Sequence, residues 1–185
     1  MPFICRSWHG AYPRRVLIGR YHILSYERPT EMERVRADKA IRLATEADLE
    51  TLKPLLAPGI DHGARLRDGN VCVWAAAPDG KPVGLQWVNF TGHPDPHFGA
   101  LSRPDSVTAY LNQIVVEEGY RIRGYAPRVM IASIVAARDA GFGRVRGLVA
   151  TSNETMKVLV EGLGFELCGV QRGVRIGPRL TFRRS

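Results

Sequence analysis

Apolar residues recur along this chain in two rhythms, and the alternation between them lays out a mixed α/β architecture. Short apolar runs at residues 71–77, 82–90, 108–116 and 144–150, bounded by Gly, Pro, Asp or Asn, predict strands. Two other stretches keep helical spacing. Met130, Ile134 and Ala137 share a stripe within 127–141, and Met156, Leu159, Val160 and Leu163 follow the i, i+3, i+4, i+7 pattern behind Asn153. Pro127 suits a first turn, where its missing N–H leaves no bond unmade. Gly141 and Gly143 stop the first helix and Gly164 the second.

The remaining elements are shorter. Pro78-Asp79-Gly80 between two apolar runs predicts a hairpin. A strand at 41–44 precedes Thr45, a good N-cap for a helix ending near Lys53, with Glu46 and Asp48 placed where the helix dipole favours acids. A partly helical stretch follows at 60–67, and strands at 165–171 and 174–182 close the pattern. Residues 91–106 contain Pro94, Pro96 and Pro104 and cannot form regular structure; a loop of that length is often functional. Residues 1–40 read as an N-terminal extension. Within it, 15–26 is rich in strand formers with Gly19 as a bend, which predicts a hairpin or edge strand, and 30–39 is a charged linker. Residues 41–185 form the main domain.

Composition narrows the class. A chain of 185 residues suits one domain with a proper core, and no run of 18 apolar residues exists to span a bilayer. The first residues lack a basic region followed by an apolar stretch, so the cytoplasm is the expected address. Cys5, Cys72 and Cys168 are scattered and odd in number, which reads as free thiols with Cys72 in the core; neither spacing nor type predicts a metal site. The net charge of +8 is concentrated at the ends, at Arg6, Arg14, Arg15 and Arg20, and at Arg172, Arg175, Arg179, Arg183 and Arg184. Such a field attracts anions. No recognised nucleic-acid motif interleaves these arginines, so a cofactor-facing or solvated role is favoured over nucleic acid.

The densest chemical signal is Arg121-Ile122-Arg123-Gly124-Tyr125-Ala126, between the strand at 108–116 and the helix behind it. Gly124 lets the backbone approach a ligand, and the helix start leaves main-chain N–H groups without intrahelical partners, which suits a diphosphate. Taken alone, the six residues are equally well read as a turn in which Gly124 relieves strain.

Three linked motifs decide between these readings. Arg121, Gly124 and Ala126 match the pattern Arg or Gln, two residues, Gly, one residue, Gly or Ala; a Val116-to-Tyr120 lead-in precedes it; Asn153 and Gly164-Phe165 follow after one further strand. Over about residues 41–182 the chain resembles the GNAT N-acetyltransferase superfamily. The resemblance implies an α/β fold of the acyl-CoA N-acyltransferase kind, a central twisted mixed sheet flanked by helices. It implies acetyl-CoA as cosubstrate and direct transfer of acetyl to a primary amine in a ternary complex. Ile122, Arg123, Gly124, Tyr125 and Ala126 would then hold the pyrophosphate, with Arg121 and Arg123 adding charge. Ile114, Val115 and Val116 would lend their backbone to the pantetheine arm, and Asn153 would cap its helix and contact the cofactor.

The chain departs from the family in its catalytic groups. The Tyr that usually follows the Leu of the second helix is Val160 here, and the strand position that holds an acid in some members is Leu148. Candidates on the acceptor side are Tyr110 and Asn112, which share a strand face, and Glu117, with Glu118 beside it. Each also has an ordinary reading as core or solvated surface. His93 and His97 lie in the proline-rich loop, where Pro94 and Pro96 forbid a helical metal pair. Trp87, flanked by Gln86 and Asn89, is a better pocket residue than Trp74. The basic field suits an acidic acceptor such as a carboxylate-bearing amine or a nucleotide-linked amino sugar, while homodimerisation stays open. The alternative function is a catalytically impaired coenzyme A sensor or structural module.

Overall fold

The computed structural model describes residues 17–26, 38–90, 106–176 and 179–183. Eight strands form one sheet in the order β2-β3-β4-β5-β6-β1-β7-β8. They are β1 Leu17–Tyr26, β2 Ile41–Leu43, β3 Val71–Ala76, β4 Pro82–Asn89, β5 Thr108–Val116, β6 Arg144–Ala150, β7 Glu166–Ile176 and β8 Arg179–Arg183. Only β5 and β6 pair in parallel; the other neighbours are antiparallel. A parallel pair needs a crossover, and helix α3, Tyr125–Asp139, supplies it.

Helix α3 buries Val129, Met130, Ile134 and Ala137 against Val73, Val83, Val88, Leu111, Val145 and Val149 on one face of the sheet. Each large side chain there contributes about 1.5–3 kcal/mol by leaving water. The other face is covered over β3 and β4 by α1, Leu49–Leu52, and the turn after it, through Leu52 and Leu55 against Cys72, Trp74, Leu85 and Trp87. Helix α2, His62–Arg67, lies on the same side, and α4, Glu154–Gly162, adds Val160 and the following Phe165 to the α3 core.

Local chemistry explains the boundaries. The β3–β4 hairpin turns at Pro78-Asp79-Gly80, with Gly80 at φ +86° and the Lys81 N–H donating to Asp79 Oδ1 at 3.0 Å. Thr45 donates its main-chain N–H and its hydroxyl to Asp48 Oδ2, both at 2.7 Å, and these bonds lower the Asp48 pKa. The expected single helix at 45–53 is instead a 3-10 turn, Glu46–Asp48, running into α1. Helix α3 starts at Tyr125 rather than Pro127, so Pro127 is its third residue and still gives up no bond.

Two expectations about strands are corrected. The described part of the 15–26 segment, 17–26, is neither a hairpin nor an edge: β1 sits between β6 and β7 with both sides paired, and Gly19 lies inside the strand opposite Gly173. The closing strands do not break near Gly173, because β1 pairs along the length of β7 and holds the glycine extended.

Burial raises the Cys72 thiol to about 12, so at pH 8 only about one molecule in 10,000 carries a thiolate there. Cys72 is expected to resist alkylation in the folded protein, whereas exposed Cys168 reacts. Mass mapping after iodoacetamide treatment, with and without urea, checks this; equal labelling of both in native buffer would contradict it.

Candidate functional site

The site begins with a fault in β5. The β4–β5 register slips between Leu85↔Val115 and Trp87↔Asn112, so β5 carries one extra residue. That residue region contains Gln113 at φ +53°, a left-handed conformation costing about 1–2 kcal/mol for a non-glycine. The bulge bends β5 away from its parallel neighbour. Pairing of β5 with β6 stops at Leu111↔Gly147, although β5 continues to Val116 and β6 to Ala150. Burial follows the opening: Thr108 through Asn112 are buried, and Gln113 through Val116 are partly exposed. The β5 edge facing this gap offers the main chain of Ile114, Val115 and Val116 to an extended ligand.

Arg65 of α2 holds the bulge. Its side chain is fully buried, with the guanidinium 4.0 Å from the centroid of the Trp87 ring. Nη1 donates to Gln113 Oε1 at 3.1 Å, and Nη2 donates to Asn89 Oδ1 at 3.0 Å and Asn112 Oδ1 at 3.1 Å. One planar fork therefore ties α2 to β4, to β5 and to the strained residue itself. His62 stacks on the Trp87 ring at 5.4 Å. Asn70 steadies the base of the arrangement, donating to the Arg65 carbonyl at 3.1 Å and accepting from the Phe90 N–H at 3.0 Å.

At the end of β5 the 3-10 turn Glu118–Tyr120 leads into the loop. There φ is −62° at Arg121, +57° at Ile122 and +78° at Gly124. A β-branched residue in the left-handed region is an outlier, and Ile122 is fully exposed, so no packing compensates it. The changes of sign make a concavity of main-chain N–H groups at the start of α3. The first helical bond runs from the Arg128 N–H to the Gly124 carbonyl, and no side chain caps the helix. Among the described residues no acceptor meets the N–H groups of Ile122, Arg123, Gly124, Tyr125 or Ala126. These five donors, backed by the dipole of a 15-residue helix, fit a diphosphate.

Aromatic and charged neighbours frame the loop. Tyr120 and Tyr125 meet edge to face at 5.9 Å, and the Arg123 guanidinium lies 5.4 Å from the Tyr120 ring. Arg128 passes over Tyr125 at 5.3 Å and binds Asp38 through Nε at 2.8 Å and Nη2 at 2.7 Å. That pair anchors the segment before β2 to the first turn of α3. Arg121 Nε makes a long 3.4 Å bond to the Val116 carbonyl.

The sequence-derived candidates separate by position. Tyr110 and Asn112 lie together on the sheet face opposite α3, both buried. Asn112 Oδ1 is committed to Arg65. Glu117 stands at the rim of the hairpin, ion-paired to Lys81 at 2.7 Å. Asn153 caps α4 by accepting from the Met156 N–H at 3.1 Å, at the same end of the sheet as the loop. Val160 is buried in the α3-side core, and Trp87 is a buried floor beneath Arg65. His93 and His97 lie outside the described residues. Sequence reasoning missed Arg65 and Gln113; the available signal was the set of amides, Gln86, Asn89, Asn112 and Gln113, inside otherwise apolar strands, which once buried require a partner.

Comparison with known proteins agrees with this geometry. Residues 33–165 match the acetyltransferase (GNAT) family. No curated protein sequence matches the chain. A GNAT-family protein of Novosphingobium aromaticivorans superimposes with a TM-score of 0.68 at 18% identity, over 92% of this chain and 68% of its own. A GCN5-related N-acetyltransferase-like protein of Streptococcus suis gives 0.60 at 16%, over 93% and 64%. The aminoglycoside N-acetyltransferase AAC(6')-Iy, in complex with CoA, gives 0.53 at 21%, over 78% and 98%. At these identities the structures share a fold.

Proposed function

Because this chain belongs to the GNAT acetyltransferase family, we propose that it transfers acetyl from acetyl-CoA to the primary amine of a small-molecule acceptor, by direct attack in a ternary complex. The observation that carries the reading is the gap between β5 and β6 ending at five main-chain donors. Acetyl-CoA supplies an activated thioester. The chain supplies the cradle at 122–126, the free edge of Ile114, Val115 and Val116, and charge from Arg121 and Arg123.

The amine reaches the thioester from the face opposite α3, the face of Tyr110 and Asn112. Holding both partners in that gap converts a bimolecular encounter into a local one, which supplies a large part of the acceleration. Of the three candidates, Asn112 is a non-titrating amide whose oxygen is held by Arg65, and Glu117 is paired at the rim. We therefore assign to Tyr110 the proton delivered to the leaving coenzyme A thiolate, while the attacking amine gives up its own proton to water. The small-molecule choice follows the aminoglycoside enzyme that shares the fold.

One observation favours a second reading, a coenzyme A sensor without turnover: the position that usually holds the acid is Val160, sealed in the core. Calorimetric titration with acetyl-CoA followed by a thiol-release assay over an amine panel separates the two. Binding with turnover is expected. Saturable binding with no thiol released from any amine supports the sensor, and absence of binding removes both readings.

A further inference from the structure

We propose that the acceptor amine also carries a carboxylate, which Arg146 of β6 grips together with the side-chain amide of Asn112. The proposal rests on the acetyl-transfer reading above. The cross-strand register sets Asn89 opposite Tyr110, Tyr110 opposite Arg146, and Arg146 opposite Ser25. These four residues form one row across β4, β5, β6 and β1. Their common face is opposite the one on which Leu111, Val145 and Val149 meet α3. Asn112 lies on that face, one step further along β5 at the mouth of the gap.

The row is rich in donors that lack acceptors. Arg146 Nε is shut off from solvent and has no hydrogen-bond partner among the described residues, while the residue as a whole, its outer guanidinium included, stays partly exposed. Asn112 Nδ2 is likewise buried without a partner. Its orientation is fixed, because Asn112 Oδ1 faces Arg65 and turns the NH₂ group the other way. The buried Asn89 Nδ2, behind Tyr110, repeats the arrangement.

The Arg146 charge has no counter-ion among the described residues, and each buried donor left unmade adds a cost. A ligand that brings oxygens and one negative charge relieves both. A carboxylate fits: it is planar, has two acceptor oxygens for a guanidinium and an amide, and matches the single unpaired cation of the row. A polycationic acceptor would instead meet Arg146 as a like charge. The row lies one residue below the point where β5 and β6 part, so a carboxylate held there leaves an amine a few bonds away facing the gap.

The test uses wild type, Arg146→Gln and Arg146→Lys, each titrated first with acetyl-CoA. Loss of that binding in wild type would count against the acetyl-transfer reading, whereas comparable binding by all three proteins reports an intact fold. Glycine, β-alanine and glutamate are then compared with their carboxamides and with phosphoethanolamine. Equilibrium binding is read with and without coenzyme A, and thiol release with acetyl-CoA. Wild type is expected to favour carboxylates over matched carboxamides on the order of 10- to 100-fold. Arg146→Gln should bring that ratio near one, and Arg146→Lys should retain part of it. Equal responses to carboxylates and carboxamides in wild type, nil included, overturn the proposal. So does a preference for phosphoethanolamine, or an Arg146→Gln ratio unchanged from wild type.

Discussion

Gly124→Val is expected to weaken acetyl-CoA binding by at least about 100-fold while the protein stays folded. Gly124 holds φ +78° and ψ 8° as the residue that opens α3. A Cβ placed there meets no atom within 4 Å beyond its two chain neighbours, so the first added carbon creates no internal clash. Its first cost is torsional, about 1–2 kcal/mol for an L-residue in the left-handed region and more for a β-branched one. Relaxing that strain would turn the neighbouring N–H groups away from their common focus. Its second cost falls on the ligand, because the open space that receives the methyl groups is the space a diphosphate would occupy. Gly124→Ala carries most of the torsional cost and less of the steric one, so a loss of about tenfold is expected for it, equivalent to about 1.4 kcal/mol. Calorimetry with a thermal melt on each variant separates binding from folding. Affinities within threefold of wild type for both would remove the loop from phosphate binding.

Arg65→Met is expected to destabilise the fold by about 3–5 kcal/mol, because it strips the donor from several buried neutral acceptors at once. Methionine can still cover the Trp87 ring, so the loss isolates the polar bonds. Three amide oxygens, on Gln113, Asn89 and Asn112, lose their donor at once. Unmet, each costs about 1–3 kcal/mol, and local relaxation keeps the total below the sum. Arg65→Lys delivers charge without the fork and should fall between. Urea unfolding followed by fluorescence reads the effect. A change under about 1 kcal/mol would mean that the three oxygens are satisfied without arginine, and the clamp on Gln113 would have to be abandoned.

Much of the architecture could be read from residue order because the informative contacts are local or periodic. The stripe through Met130, Ile134 and Ala137 gave α3, Pro78-Asp79-Gly80 gave the β3–β4 turn, and the mixed α/β class followed. The strand, turn and helix around Gly124 were readable for the same reason, since the three are contiguous. The rest depends on partners distant in sequence. Nothing at Gln113 announces a left-handed residue, since the strain there is held by Arg65, 48 residues earlier. Arg146 looked like an ordinary charge in a strand until the register set it in a row of donors between Tyr110 and Ser25. The strand character of β1 was visible, yet its place was not, because two neighbours from the far end of the chain define it.

That placement also sets a timetable. As the chain emerges from the ribosome, β1 appears well before its neighbours: Tyr21 waits for Ala150 on one side and Gln171 on the other. At about 5–20 residues per second, roughly 8–30 s pass before both exist. During that interval Leu24 and Tyr26, buried in the finished core, belong to a strand that has no neighbour to pair with. Of the whole sheet, the part from β2 to β5 is complete in sequence by Val116 and can assemble during synthesis, whereas the part built around β1 must wait for β6 and β7, which end at Ala150 and Ile176.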